Sequence, residues 1–78
     1  MHKFLIVFES VEGGYSAYSP DLPGCIAAGP TLEETQKNIG EAVQIHLAGM
    51  VEDGEVIPES RSVARTMTFP EGDLTTDV

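Results

Sequence analysis

Apolar residues run without a break from Phe4 to Phe8. Phe4, Ile6 and Phe8 alternate with Leu5 and Val7, so a strand here has two apolar faces. The pattern predicts a strand over residues 3–9, central in its sheet and covered on both sides. Glu12-Gly13-Gly14 reads as a hairpin turn, and residues 15–19 read as the antiparallel partner. Residues 25–28 form a short third strand of small apolar residues. From Leu32 the period changes. At 100° per residue Leu32, Ile39, Val43, His46 and Met50 share one narrow stripe, with Ala42 beside it, which predicts a helix over residues 32–51. Gly54 is expected to stop it. Residues 56–60 read as an extended connector. Residues 62–69 set Val63, Arg65, Met67 and Phe69 against small polar neighbours and predict a fourth strand. The order is βββαβ: a single small α+β domain over residues 1–69, an antiparallel-rich sheet with one helix packed on it. Residues 70–78 read as an acidic, mobile tail.

The most tightly specified corner lies between Pro20 and Glu34, P-D-L-P-G-C-I-A-A-G-P-T-L-E-E. Pro20 and Pro23 keep Ser19 and Leu22 out of the helical region. Pro23-Gly24 suits the centre of a type II turn, where Gly supplies the positive φ. Gly29-Pro30 breaks the third strand. Thr31 then reads as an N-cap, with Glu34 at N3 closing a capping box. Glu33 and Glu34 suit the positive end of the helix.

The spacing L-P-G-C-x-x-x-G-x-T-x-E-E, followed by E-A-V-Q-I-H-L at Glu41–Leu47, resembles the HicB family of antitoxins. The resemblance implies the βββαβ order, described as a degenerate ribonuclease-H-like fold. It also implies a non-catalytic binding module. HicB-type proteins neutralise a small basic RNA-cleaving toxin, HicA, by covering its active surface. No cofactor follows from it. Many members of the family carry a further C-terminal DNA-binding domain. This chain ends soon after the fourth strand and has no basic segment there, so autorepression is not expected. The rival reading is a stand-alone scaffold or small-ligand-binding domain with no toxin partner.

Charge sharpens this picture. Thirteen acidic residues against four basic ones give a net charge of −9. Direct nucleic-acid binding needs a basic footprint and is not expected. A basic protein partner suits the charge. No apolar run is long enough to span a membrane, and no signal peptide precedes the first strand. A cytoplasmic protein is therefore expected. At 78 residues the core is small, and cores of this size rarely supply more than ~3–5 kcal/mol. One Cys allows no internal disulfide, and Cys25, His2 and His46 lack metal-ligand spacing. Self-association remains as the staple, giving a homodimer or homotetramer.

Candidate chemistry is sparse. Ribonuclease-H-type catalysis needs several carboxylates converging on divalent metal. The first strand offers only Glu9, the fourth offers none, and Glu33, Glu34 and Glu41 lie off the apolar helix stripe. Cys25 and His46 could pair as nucleophile and base, but a reactive thiolate needs an electropositive setting. Cys25 reads instead as a small core residue and His46 as a packed one. No enzyme activity is expected. Tyr15, Tyr18 and Asp21 are the candidate partner contacts. Ile45 and Ala48, on the helix side away from the main stripe, are the candidate oligomer contacts.

Overall fold

The computed structural model describes residues 1–74. Three strands, β1 (Val7–Val11), β2 (Gly14–Tyr18) and β3 (Ile26–Gly29), are followed by one helix, α1 (Leu32–Glu52). The strands form an antiparallel sheet in the order β1-β2-β3. The α+β class and the βββα order are those the sequence pattern predicts.

Two features differ. β2, not β1, is the central strand, and one helix covers one face only. The apolar run from Phe4 is therefore an edge, and its first three residues precede the ladder, which opens at the Val7–Tyr18 pair. Pro20 explains the late start, because a proline opposite offers no N–H to extend the ladder. The fourth strand expected over residues 62–69 is also not formed. These residues carry no regular structure, and Val63 to Gly72 are exposed throughout. A strand exists only beside another strand, and this segment has no neighbour. Of the tail, Glu71–Leu74 make a short 3-10 turn. The expected mobility of its end concerns residues 75–78, which lie outside the described residues.

The corner folds as its residues dictate. Leu22 N–H donates to the Ser19 carbonyl at 3.2 Å and Cys25 N–H to the Leu22 carbonyl at 3.1 Å, two consecutive tight turns. Gly24 takes φ 81°, the value the third residue of a type II turn requires. Thr31 caps α1: its hydroxyl oxygen accepts from Glu34 N–H at 3.1 Å. The helix ends in a Schellman motif, with Glu55 N–H on the Met50 carbonyl at 2.8 Å and Gly54 N–H on the Val51 carbonyl at 3.1 Å.

The core lies between helix and sheet. Ala17, Leu22, Cys25 and Ile39 are buried, with Phe4, Ile6, Phe8, Ala27, Ala42, Val43 and Leu47 packed against them. Thr35, in the first turn of the helix, is fully buried against the sheet, with its hydroxyl donating to the Thr31 carbonyl at 2.7 Å. Leu32, expected in the buried stripe, is exposed because it precedes the point where helix meets sheet. A 21-residue helix spans about 31 Å, against about 17 Å for a five-residue strand. The helix therefore overhangs the sheet, and its second half leaves His46 and Met50 half-buried.

Candidate functional site

Strand alternation sorts the sheet into two faces. The Phe8–Ala17–Ala27 row points into the core. The neighbouring row, Val7–Tyr18–Ile26, runs across all three strands on the opposite face. No helix covers it. Ile26 is 65% exposed and Tyr18 37% exposed. Leu5 precedes Val7 with the same parity and is half-buried. The next row on this face is Glu9–Ser16–Ala28. An apolar row with a carboxylate beside it is thus presented to solvent. An exposed cross-strand row of this kind marks an interaction surface more than an isolated apolar residue does.

Beside that row is a shallow hollow between the two turns, lined by Tyr18, Pro20, Leu22, Pro23, Cys25 and Ile26. Ser19 also borders it. Its buried hydroxyl has no hydrogen-bond partner among the described residues. The Cys25 thiol is buried, and desolvation pushes its pKa up. It is held as a thiol and is poorly suited to nucleophilic attack.

The five sequence candidates fall in four places. Tyr18 stands in the open row, whereas Tyr15 is half-buried on the helix side with Ala17. Asp21 has an internal task. Its Oδ2 accepts from Ser60 Oγ at 3.2 Å, Arg61 N–H at 3.2 Å and Ser62 N–H at 3.3 Å, and its Oδ1 accepts from Ser62 Oγ at 3.1 Å. Partial desolvation pushes this carboxyl up, but the four donors together outweigh it and hold the pKa below its ordinary value. Ile45, 74% exposed, and Ala48 line a shallow helix-face depression with Glu41 and Gln44. Ile26 escaped the sequence reading. Only its position across from Tyr18 reveals it, and that depends on a register the sequence does not state.

Among the described residues no three of His, Cys, Asp or Glu come together as metal ligands, and no helix is long and apolar enough to cross a membrane. His46 lines a separate hollow where α1 overhangs the sheet, with Met50, Asp53 and Glu55.

A family model for the HicB-like antitoxin of bacterial toxin–antitoxin systems matches residues 4–75. A 14.9 kDa protein from the rep-hol intergenic region of Haemophilus phage HP1 is 42% identical over 66 residues, covering 85% of this chain and 50% of the phage protein. A UPF0150 protein of Archaeoglobus fulgidus is 41% identical over 58 residues, covering 70% of this chain and 84% of its own length. A chain of the solved HicA3 and HicB3 toxin–antitoxin complex superposes with a TM-score of 0.58 at 31% identity, over 73% of this chain and 66% of that one. This chain thus spans half of the phage relative and about two thirds of the chain in the complex. It belongs to the HicB-like antitoxin family of bacterial toxin–antitoxin systems.

Proposed function

We propose that this protein is a non-catalytic antitoxin module that binds a small basic RNA-cleaving toxin of HicA type in the cytoplasm and neutralises it by covering its active surface. The observation that carries this reading is the family match over residues 4–75, joined to the likeness to a chain of a toxin–antitoxin complex. The surface supports it. An apolar row, Val7–Tyr18–Ile26, lies open on a protein whose net charge is −9. Opposite charge speeds encounter with a basic partner and disfavours wrong ones. Apolar and aromatic anchors then hold the complex. Tyr18 is the central anchor, with Ile26 beside it. The module works as a homo-oligomer, because among the described residues the core buries only four hydrophobic residues and has neither a disulfide nor a cluster of metal-ligating side chains to brace it.

The test is growth rescue. A HicA-type toxin from the same host is co-expressed with this chain or with Ile26→Asp. The native chain is expected to restore growth and the variant to fail while remaining folded by circular dichroism. A native chain that neither restores growth nor co-purifies with the toxin would sink the proposal.

A further inference from the structure

After Ser62 the chain leaves the body of the protein. Ten consecutive residues, 63–72, are exposed. Val63 is 78% exposed, Met67 71% and Phe69 65%. These three share one parity along the segment, so an extended backbone would put them on one side. The radius of gyration is 16.6 Å, against about 11–12 Å for a compact chain of this length. The long axis is 56 Å and the next is 29 Å. Drawn out as a strand, eight residues span about 26 Å, which is the scale of that difference. A small protein rarely displays three large apolar side chains on a free arm unless something covers them.

The root of the arm is fixed. The Asp21 carboxylate gathers Ser60, Arg61 and Ser62 through four hydrogen bonds. Ile57 to Ser60 share one hollow with Met1 to Phe4, the residues that lead into β1. The body has what the arm lacks. β1 is an edge strand, and the residues just before it, Phe4 to Ile6, are half-buried and ahead of the ladder. The other edge is less open, because Asn38 Nδ2 of the helix donates to the Ala28 carbonyl of β3 at 2.9 Å. An open edge and an extended apolar segment are complementary, since strand addition satisfies the backbone groups of both.

Charge selects the occupant. Residues 61–69, R-S-V-A-R-T-M-T-F, hold two of the chain's four basic residues and no acid. The β1 strand carries Glu9, and Glu12 follows it at the turn. Of the two arginines, Arg61 sits at the clasped root and Arg65 alone lies within the exposed stretch before Glu71, a cation without a neighbouring acid that suits the acidic body of another copy better than a basic toxin.

From these observations we infer that residues 63–69 form an exchanged strand: the arm of one protomer adds to the free edge of β1 in a second copy, and the second copy's arm returns the contact. The resulting dimer is two-fold symmetric and closed, with each edge covered by the other's arm. Pinning by Asp21 lowers the ordering cost of the arm and so favours the exchange. The inference rests on the self-association in the functional reading and names the element that performs it. It leaves the Val7–Tyr18–Ile26 face free for another protein.

The experiment pairs light scattering with amide hydrogen exchange by NMR on the full chain and on V63D/M67D. The native chain is expected to be a dimer at micromolar concentration, with protection on amides of residues 4–10 that β2 does not bond. V63D/M67D is expected to keep its helical circular dichroism, to dimerise at least about tenfold more weakly, and to lose that added protection. A dimer indifferent to V63D/M67D overturns the exchange while self-association stands. A monomeric native chain whose β1 amides are still protected overturns it too, because the arm then folds back on its own sheet. Neither outcome bears on toxin neutralisation, which growth rescue reads separately.

Discussion

Gly29 is where three elements meet. A Cβ built there would stand 2.8 Å from Thr35 Oγ1 and 2.9 Å from Thr35 N, both held in the first turn of the helix. One built on Gly14 would collide with the Gly29 carbonyl oxygen. Strands β2 and β3 and the helix start are therefore stacked at backbone distance. Gly29→Ala is expected to destabilise the fold by about 1–3 kcal/mol through overpacking, read as a lower midpoint in urea with an unchanged slope. The sequence marked Gly29 as a strand breaker, and only the packing explains why no side chain fits. Thr31 was legible in full. Loss of its cap in Thr31→Ala is expected to cost ~0.5–2 kcal/mol in a thermal melt. The box expected with Glu34 is half formed: the Thr31 hydroxyl takes Glu34 N–H, and among the described residues no return bond from the Glu34 carboxylate is made. Glu34→Ala should therefore cost distinctly less, and equal costs would show the return bond forming in solution.

Elements with a strong local code were read correctly, and those decided at long range were not. The helix needed only its cap, its period and Gly54, and its bounds fell within one residue of the 32–51 expected. The type II turn needed only Pro23-Gly24. The apolar run at Phe4–Phe8 announced a strand, but whether it is central or an edge depends on which segment lies beside it. The same ambiguity governs residues 62–69, whose alternation is that of a strand although no neighbour is present. The Asp21 clasp was invisible for a related reason, since it joins residues about forty positions apart. Its pH dependence has a definite sign. The folded pKa is depressed, so the carboxylate favours the clasp at neutral pH, and that contribution disappears as pH falls below the ordinary carboxylate range. Amide exchange at Arg61 and Ser62 should be slow at pH 7 and accelerate relative to the intrinsic rate on acidification. Asp21→Ala should show the fast regime already at pH 7. Exchange at these amides that ignores both acid and the substitution would show the clasp open in solution.

At the scale of the whole molecule, a chain of net charge −9 presents an apolar row through Tyr18 and Ile26 and an exposed arm that carries Val63, Met67 and Phe69. The charge balance was legible from composition, and the opposite faces of Tyr15 and Tyr18 from strand alternation. The row itself was not, because it requires the register that places Ile26 across from Tyr18. Under the proposed function, this arrangement predicts how a basic toxin partner binds. Steering by net charge acts during encounter and is screened beyond about 8 Å at physiological ionic strength. Raising salt should therefore slow association and leave dissociation nearly unchanged. Anchors act once water has left the interface, so Tyr18→Ala should speed dissociation about tenfold or more, the range of an aromatic anchor. Tyr15, half-buried on the helix side, should matter less to the complex than to the fold. The measurement is surface plasmon resonance with immobilised toxin across a salt series, using the native chain, Tyr18→Ala and Tyr15→Ala. Dissociation that tracks salt while association does not would contradict steering. A complex that loses Tyr18 without cost but fails with Tyr15→Ala, in a variant still folded, would move the interface from the open sheet face to the helix side.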